Sequence, residues 1–306
     1  MPKFNPDTDI PDLSGKVILV TGGNIGLGKE TILQLSKHNP AKIFLAARSE
    51  TRALSAIDDI RKAVPDAAPI IYLNLDLTSF DSIHKAVADF HAQSQQLHLL
   101  FNNAAIMGVP PGKTKDGYEI QFGTNHIGHA LLTTLLLPTL KKTAATPESP
   151  NDVRIITVAS ESEAWNPFPN PSEFDKFKTD MAETSMFARY GFSKFANILY
   201  ARALSRRHPE IRSISLHPGA VNTNISSGIT SRWPILKLFV RLGGYFATPP
   251  STGVKTQLWA AVSPEAKSGE FYHPVGVPGK GSKALCDKSL EDELWLWTEK
   301  ELNGAV

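Results

Sequence analysis

The chain has 306 residues, enough for one large α/β domain or at most two small ones, and 42% hydrophobic residues supply an ample core. A net charge of +2, with basic and acidic residues interleaved, gives no reason to expect a nucleic-acid partner. The one cysteine, Cys286, excludes an internal disulfide and a cysteine-based metal cluster, and fits a reducing, cytoplasmic compartment.

The first residues carry neither an apolar signal core nor an arginine-rich transit pattern, so no leader is expected. Short β-branched runs then alternate with helical patterns. Strands are predicted at 16–21 (KVILVT), 42–47 (KIFLAA), 70–75 (IIYLNL), 97–102 (LHLLFN), 153–159 (VRIITVA) and 211–217 (IRSISLH). Helices are predicted near 26–38, 50–63, 79–94, 119–142 and 188–207. Near-continuous apolar strands suit a parallel sheet covered on both faces, and the β-α-β order implies a doubly wound α/β fold in one domain. The Pro/Asn-rich stretch 165–172 reads as a loop insertion at the edge of the active site. After the sixth strand, 222–250 reads as a substrate-covering excursion. A helix near 251–262, a short strand at 270–273 and a tail helix near 289–302 complete the chain.

No segment reaches the roughly 20 apolar residues needed to span a bilayer. The nearest, 233–246 (WPILKLFVRLGGYF), is interrupted by Lys237, Arg241 and two glycines. It reads as an apolar flap or buried helix, with weak membrane-surface contact as the alternative.

Thr21-Gly22-Gly23-Asn24-Ile25-Gly26-Leu27-Gly28 falls where the first strand ends and the first long helix begins. Glycines there let the backbone turn sharply and approach a pyrophosphate, which the helix N-terminus attracts. The turn is not a P-loop, because no Gly-Lys-Ser/Thr follows. At the end of the second strand an acidic residue would hold a ribose 2′-hydroxyl, whereas an arginine pairs with a 2′-phosphate. The chain has Arg48 there and no carboxylate, which favours NADP(H) over NAD(H).

Tyr190 and Lys194 lie four residues apart on a predicted helix and so share one face. A nearby ammonium stabilises a phenolate and lowers the tyrosine pKa from about 10 toward working pH. Such a phenol can give or take a proton at a carbonyl or an alcohol. His126 and His129 have the spacing of a metal pair without an evident third ligand, so packing or hydrogen bonding is their expected role and no catalytic metal is expected.

The glycine turn at 21–28, Asp76-Leu77 after the third strand, Asn102-Asn103-Ala104-Ala105 after the fourth, Tyr190–Lys194 and His217-Pro218-Gly219 occur in order and in matching structural context. Together they resemble the short-chain dehydrogenase/reductase family over residues 14 to at least 223. The run Asn125-His126-Ile127-Gly128-His129 and the Arg48 context are most similar to the branch of retinol dehydrogenases and WW-domain oxidoreductases, and to fungal biosynthetic reductases of secondary metabolism. The resemblance implies a Rossmann-type doubly wound parallel sheet of about seven strands with helices on both faces. Residues 14–220 would form the nucleotide-binding and catalytic core, 222–250 a substrate flap and 251–306 the C-terminal part.

It also implies roles. Tyr190 would exchange the proton with the substrate oxygen; Lys194 would lower its pKa and hold the nicotinamide ribose. Ser160 would hydrogen-bond the substrate oxygen, with Ser162 as the competing serine, because the chain has Ala159-Ser160 where the family usually has Ser-Ser. Asn125 would hold a water linking Lys194 to solvent. Gly22, Asn24, Ile25, Gly26, Leu27 and Gly28 would cradle the nucleotide. Asp76 and Leu77 would meet adenine, Asn103 and Ala104 the adjacent ribose region, and Val221 and Thr223 the nicotinamide carboxamide. The implied activity is NADP(H)-dependent hydride transfer to or from a carbonyl or alcohol of a moderately apolar small molecule. A catalytically silent NADP(H)-binding regulator of the same fold is the alternative. A homo-oligomer is compatible with the sequence.

Overall fold

The computed structural model describes residues 4–146, 152–221 and 248–305. Among these, eight strands form one sheet: β1 (Val17–Thr21), β2 (Lys42–Ala47), β3 (Ile70–Asn74), β4 (Leu99–Asn102), β5 (Arg154–Val158), β6 (Arg212–Leu216), β7 (Phe271–His273) and β8 (Val277–Pro278). Their spatial order is β3-β2-β1-β4-β5-β6-β7-β8, parallel throughout except for the final β7–β8 pair. The six strands expected through residue 217 are all present, with ends shifted by one or two residues. The eighth is a two-residue antiparallel edge that no periodicity signals.

Helices α1 (Pro6–Asp9), α2 (Gly26–Ser36), α3 (Glu50–Ala63), α4 (Phe80–His91), α5 (Ile120–Phe122), α6 (Gly128–Ala144), α7 (Met186–Arg207), α8 (Pro250–Gly253), α9 (Lys255–Val262) and α10 (Lys288–Leu302) accompany the sheet. The stretch around 165–172 carries two 3-10 segments, Glu161–Ala164 and Pro171–Lys178, rather than a bare loop. Of the flap expected at 222–250, residues 222–247 lie outside the described residues.

Alternate strand residues face opposite layers, which is why the runs look continuously apolar. Leu19, Phe44, Leu100 and Ile155 join the core that packs α4, α6 and α7. Ile18, Val20, Leu45, Phe101 and Ile156 join the core that packs α2, α3 and α9. No helix among the described residues is long and apolar enough to cross a membrane.

The helix predicted at 119–142 is not continuous. Its first part is α5, followed by a π-helical segment, Gly123–Ile127, before α6 begins. The glycines at its ends allow this: a Cβ on Gly123 would lie 2.5 Å from Thr114 Cγ2, and one on Gly128 would lie 2.5 Å from the Leu77 carbonyl oxygen. A π-bulge of this kind redirects side chains and is common at functional sites.

Three buried histidines, His98, His126 and His129, are packed into the sheet and its covering helices, and a fourth, His217, follows β6. His98 accepts a hydrogen bond from the Val17 amide through Nδ1, and His126 meets Thr298 and the Phe122 and Tyr200 rings. Burial lowers the pKa of His98 to about 4, His126 to about 3, His129 to about 4 and His217 to about 4. Each therefore binds its proton more readily when unfolded, so stability present above about pH 6.5 is lost as pH falls toward these lowered values. Each histidine is expected to contribute a loss of up to about 1.4 kcal/mol per pH unit between about pH 6.5 and about pH 4. Urea unfolding at a series of pH values should show this slope, and His98→Asn should flatten it; a midpoint independent of pH over that range would refute the assignment.

Candidate active site

The strand order reverses direction between β1 and β4, and ligands in such sheets bind in the crevice beyond the carboxyl ends of the strands at that switch point. A cavity of about 600 Å³ opens there. Its walls come from the ends of β1 to β6, from the glycine turn and from the start of α7.

The glycine turn is shaped by backbone conformations that side chains resist. Gly22 has φ +66° and Gly26 has φ +54°. Gly22, Asn24, Ile25, Gly26 and Leu27 all face the cavity. Ile25 precedes α2 and gives it no side-chain cap, so the first amides of the helix remain available to an anion. Gly28 does not reach the cavity wall. A Cβ there would fall 2.4 Å from the Gly22 carbonyl oxygen and 2.7 Å from Asn103 Nδ2, so its role is close packing of α2 against the turn.

Thr21 fastens this turn to β4. Its buried Oγ1 receives the Asn103 and Ala104 amides, each at 2.9 Å, and lies 2.9 Å from His129 Nε2. Asn103 spends its side-chain amide on the Thr21 carbonyl at 2.8 Å, which makes it a clamp on the turn as well as a wall residue.

Arg48 and Ala47, at the end of β2, line the same cavity. Arg52, in the first turn of α3, joins them; it lies five residues beyond the strand end, where no motif marks it. Asp76, Leu77 and Thr78 form the neighbouring wall. One Asp76 oxygen accepts from the Thr78 amide at 3.0 Å and its hydroxyl at 2.7 Å, which holds the carboxylate in place.

At the other end of the cavity stand Ser160, Tyr190 and Lys194. Ser160 follows β5, caps the 3-10 segment through the Ser162 amide, and lies near enough to the Tyr190 phenol to favour its ionised form. Ser162 is fully buried and off the cavity wall, so Ser160 is the serine that the cavity can use. Gly191 permits this meeting: a Cβ there would lie 2.6 Å from the Ser162 carbonyl oxygen and push α7 away.

Lys194 Nζ donates to the Val158 carbonyl at 2.8 Å and sits 5.6 Å from the centre of the Tyr190 ring. The expected depression of the tyrosine pKa by the lysine is not met. Burial drives the Tyr190 pKa up, opposed by Ser160, and burial brings Lys194 down to about 7. Both groups are enclosed, and desolvation of two charged forms outweighs their mutual stabilisation.

Asn125 lies fully buried in the π segment and off the cavity wall. Its Oδ1 accepts the Ile106 amide at 2.9 Å, and its Nδ2 donates to the Ile106 carbonyl and to Ser193 Oγ, each at 3.0 Å. An asparagine side chain has two donor hydrogens, and both are used. Its side chain therefore ties the loop at Ile106 to Ser193 of α7. His129 bonds the Asn125 carbonyl through Nδ1. Among the described residues no cluster of three or more His, Cys, Asp or Glu could hold a metal.

Comparison with known proteins agrees with this architecture. A family model described as short chain dehydrogenase matches residues 16–170. A short-chain dehydrogenase/reductase of Armillaria gallica is 40% identical over 305 residues, covering 97% of this chain and 93% of the relative.

The chain belongs to the short-chain dehydrogenase/reductase family.

Retinol dehydrogenase 12 of Mus musculus is 33% identical, covering 92% of this chain and 85% of that protein. An uncharacterized protein from Mycobacterium Paratuberculosis has a solved structure that superimposes with a TM-score of 0.74 at 25% identity, covering 98% of this chain and 97% of that one. Members of the family are oxidoreductases that bind nicotinamide cofactors and act on small molecules. The residues present fit such a nucleotide: the cradle has no side chains where the backbone must approach it. The volume falls within the roughly 300–1,000 Å³ usual for cofactor and ligand sites.

Several wall residues of this short-chain dehydrogenase/reductase carry no motif: Ile106, Met107, Val109, Ile120 and Thr124. They belong to a loop, a short helix and a π turn whose placement no periodicity predicts. Val221 is on the wall and pairs with Thr248, and Gly253 of α8 lies against it, where a Cβ would be 2.3 Å from Val221 Cγ2. Thr223 lies outside the described residues.

Gly28→Ala should destabilise the protein by about 1–3 kcal/mol through overpacking and weaken nucleotide binding at the same time. Thermal melts and NADPH titration by fluorescence would check this; unchanged melting and binding would show that the turn relaxes freely.

Proposed function

We propose that this protein is an NADP(H)-dependent oxidoreductase that interconverts a carbonyl and an alcohol on a moderately apolar small molecule. The observation that carries the reading is a single cavity walled by the glycine turn and by Ser160, Tyr190 and Lys194 together. A bound nicotinamide supplies or takes up the hydride.

Tyr190 acts as the proton donor to the substrate oxygen in reduction and as the acceptor in oxidation. Its raised pKa keeps the phenol protonated at rest, the form that reduction needs. Ser160 donates a hydrogen bond to the same oxygen and stabilises the charge developing there. Lys194, brought by burial to about 7, is poised between its two forms, and the negative charge of a phosphate-bearing nucleotide favours its ammonium. The ammonium then stabilises Tyr190 as phenolate and holds the nicotinamide ribose. Asn125 keeps the loop at Ile106 in register with α7, on which Tyr190 and Lys194 are carried.

Gly22, Asn24, Ile25, Gly26 and Leu27 receive the pyrophosphate, Asp76 and Leu77 the adenine, Asn103 and Ala104 the ribose region, and Val221 the carboxamide. Arg48 and Arg52 converge on one wall with no carboxylate at the strand end, which supports the NADP(H) preference. The apolar wall of Ile106, Met107, Val109 and Ile120 supports an apolar substrate of the polyketide, terpenoid, steroid or retinoid kind met in secondary metabolism. The sole cysteine, Cys286, is exposed and unpaired, in keeping with a reducing cytoplasmic setting.

With NADPH and a panel of aryl and cyclic ketones, Tyr190→Phe should lower kcat by about 10²–10⁴-fold while NADPH binding is retained. Full activity in that variant would refute the role. Ser160→Ala should likewise lose turnover, whereas Ser162→Ala should affect melting more than kcat. Arg48→Ala and Arg52→Ala should each raise the Kd for NADPH by about tenfold or more and leave that for NADH nearly unchanged, the worth of a charge-assisted contact. Equal changes for both nucleotides would overturn the NADP(H) preference.

A further inference from the structure

Part of the cavity wall that Tyr190 shares is made by a loop without regular structure at 106–109, and its backbone is held by buried polar side chains. Ile106 is held at both its amide and its carbonyl by Asn125. Two residues on, the Gly108 amide donates to Gln121 Oε1 at 2.9 Å, and the Val109 carbonyl accepts from Arg189 Nη2 at 2.9 Å. Each of these side chains has a second bond that leads to α7 or is itself carried by it. Gln121 Nε2 donates to the Met186 carbonyl at 2.9 Å, and Asn125 Nδ2 donates to Ser193, whose hydroxyl donates to the Tyr190 carbonyl at 2.7 Å. Arg189 is the residue before Tyr190, and its Nη1 meets Glu119 Oε1 at 2.5 Å.

Gln121 and Glu119 are fully buried and Arg189 is 2% exposed, so the side chains that hold the loop are shielded from water. A buried ion pair is an inefficient way to gain stability, since well-packed apolar residues of equal volume serve as well or better. What it does supply is direction. Glu119 is itself fixed by the Phe122 amide at 2.6 Å and by its own amide on the Phe177 carbonyl at 2.8 Å. The guanidinium is thereby anchored at one end while it reaches the Val109 carbonyl with the other.

We infer that Gln121 and the Glu119–Arg189 pair are positioning residues that fix the Ile106–Met107–Val109 wall at a set distance from Tyr190, and so determine which carbonyl substrates the site admits. The inference rests on the carbonyl-reductase reading above. Gly108 has φ +70° and carries no side chain to wedge the loop, so its place depends on the amide bond to Gln121. Met107 and Val109 flank it on the cavity wall and move with it.

Hydrogen–deuterium exchange on the protein without nucleotide or substrate reads the anchoring directly. Exchange over 105–110 should rise about tenfold or more in Gln121→Leu and in Arg189→Met, the worth of a lost buried hydrogen bond. With NADPH, the ratio of kcat/KM for a bulky aryl ketone to that for a small acyclic ketone should shift about tenfold, mainly through KM, with kcat for the small ketone within about threefold of wild type. Gln121→Glu keeps an acceptor for the Gly108 amide and should restore part of both effects; it also decides the matter should Gln121→Leu fail to fold. Unchanged exchange over 105–110, or a substrate ratio constant within about twofold despite faster exchange, would overturn the inference. A wild-type protein that turns over no ketone would refute the proposed function instead, and the anchoring would then stand or fall on the exchange result alone.

Discussion

The Thr21 hydroxyl occupies the point from which the rest of the site is hung. It ends β1, receives two amides from the chain leaving β4, and contacts His129 on α6. A threonine hydroxyl has one hydrogen and two lone pairs, so two incoming amides fill its acceptor capacity. His129 is neutral, and its Nδ1 faces a carbonyl oxygen, so Nδ1 carries the proton and Nε2 is left to accept. The result is a continuous line from the glycine turn through Thr21 and His129 to Asn125, and from there to the helix of Tyr190. Loss of any member would loosen the nucleotide end of the cavity relative to its chemical end.

Electrostatics in this cavity follow burial before they follow pairing. Four residues of separation on α7 bring Lys194 to the Tyr190 ring, yet the lysine hydrogen-bonds a backbone carbonyl and both groups resist charging. An enclosed ammonium and an enclosed phenolate each cost several kcal/mol of hydration before they attract one another. The pair is therefore responsive: negative charge arriving in the cavity shifts it toward the charged lysine that a phenolate requires.

The π segment and its neighbours show how one irregular stretch serves both ends of the site. Close approach at Gly123 and Gly128 lets Asn125 turn inward, where it binds the loop at Ile106 and the hydroxyl of Ser193 together. Gln121 and Arg189 extend the same arrangement toward Val109. A loop of this kind has no ladder of its own and takes its conformation from the side chains that satisfy its backbone.

The sequence by itself determined the order of strands and helices, because apolar runs bounded by turn residues report the period and coverage of a parallel sheet. It also singled out the glycine turn, Arg48, Tyr190 and Lys194, since each sits at a strand end or at a helical spacing, and it offered Ser160 and Ser162 through the family resemblance. Tertiary structure alone decided the break before α6, the packing role of Gly28 and the saturated bonds of Asn125. It alone brought Arg52 onto the cavity wall with Arg48, and Gln121 and Arg189 to the loop at 106–109. The reason is physical: periodicity records which face of an element is buried, whereas hydrogen-bond saturation, close backbone approach and desolvation depend on what lies opposite.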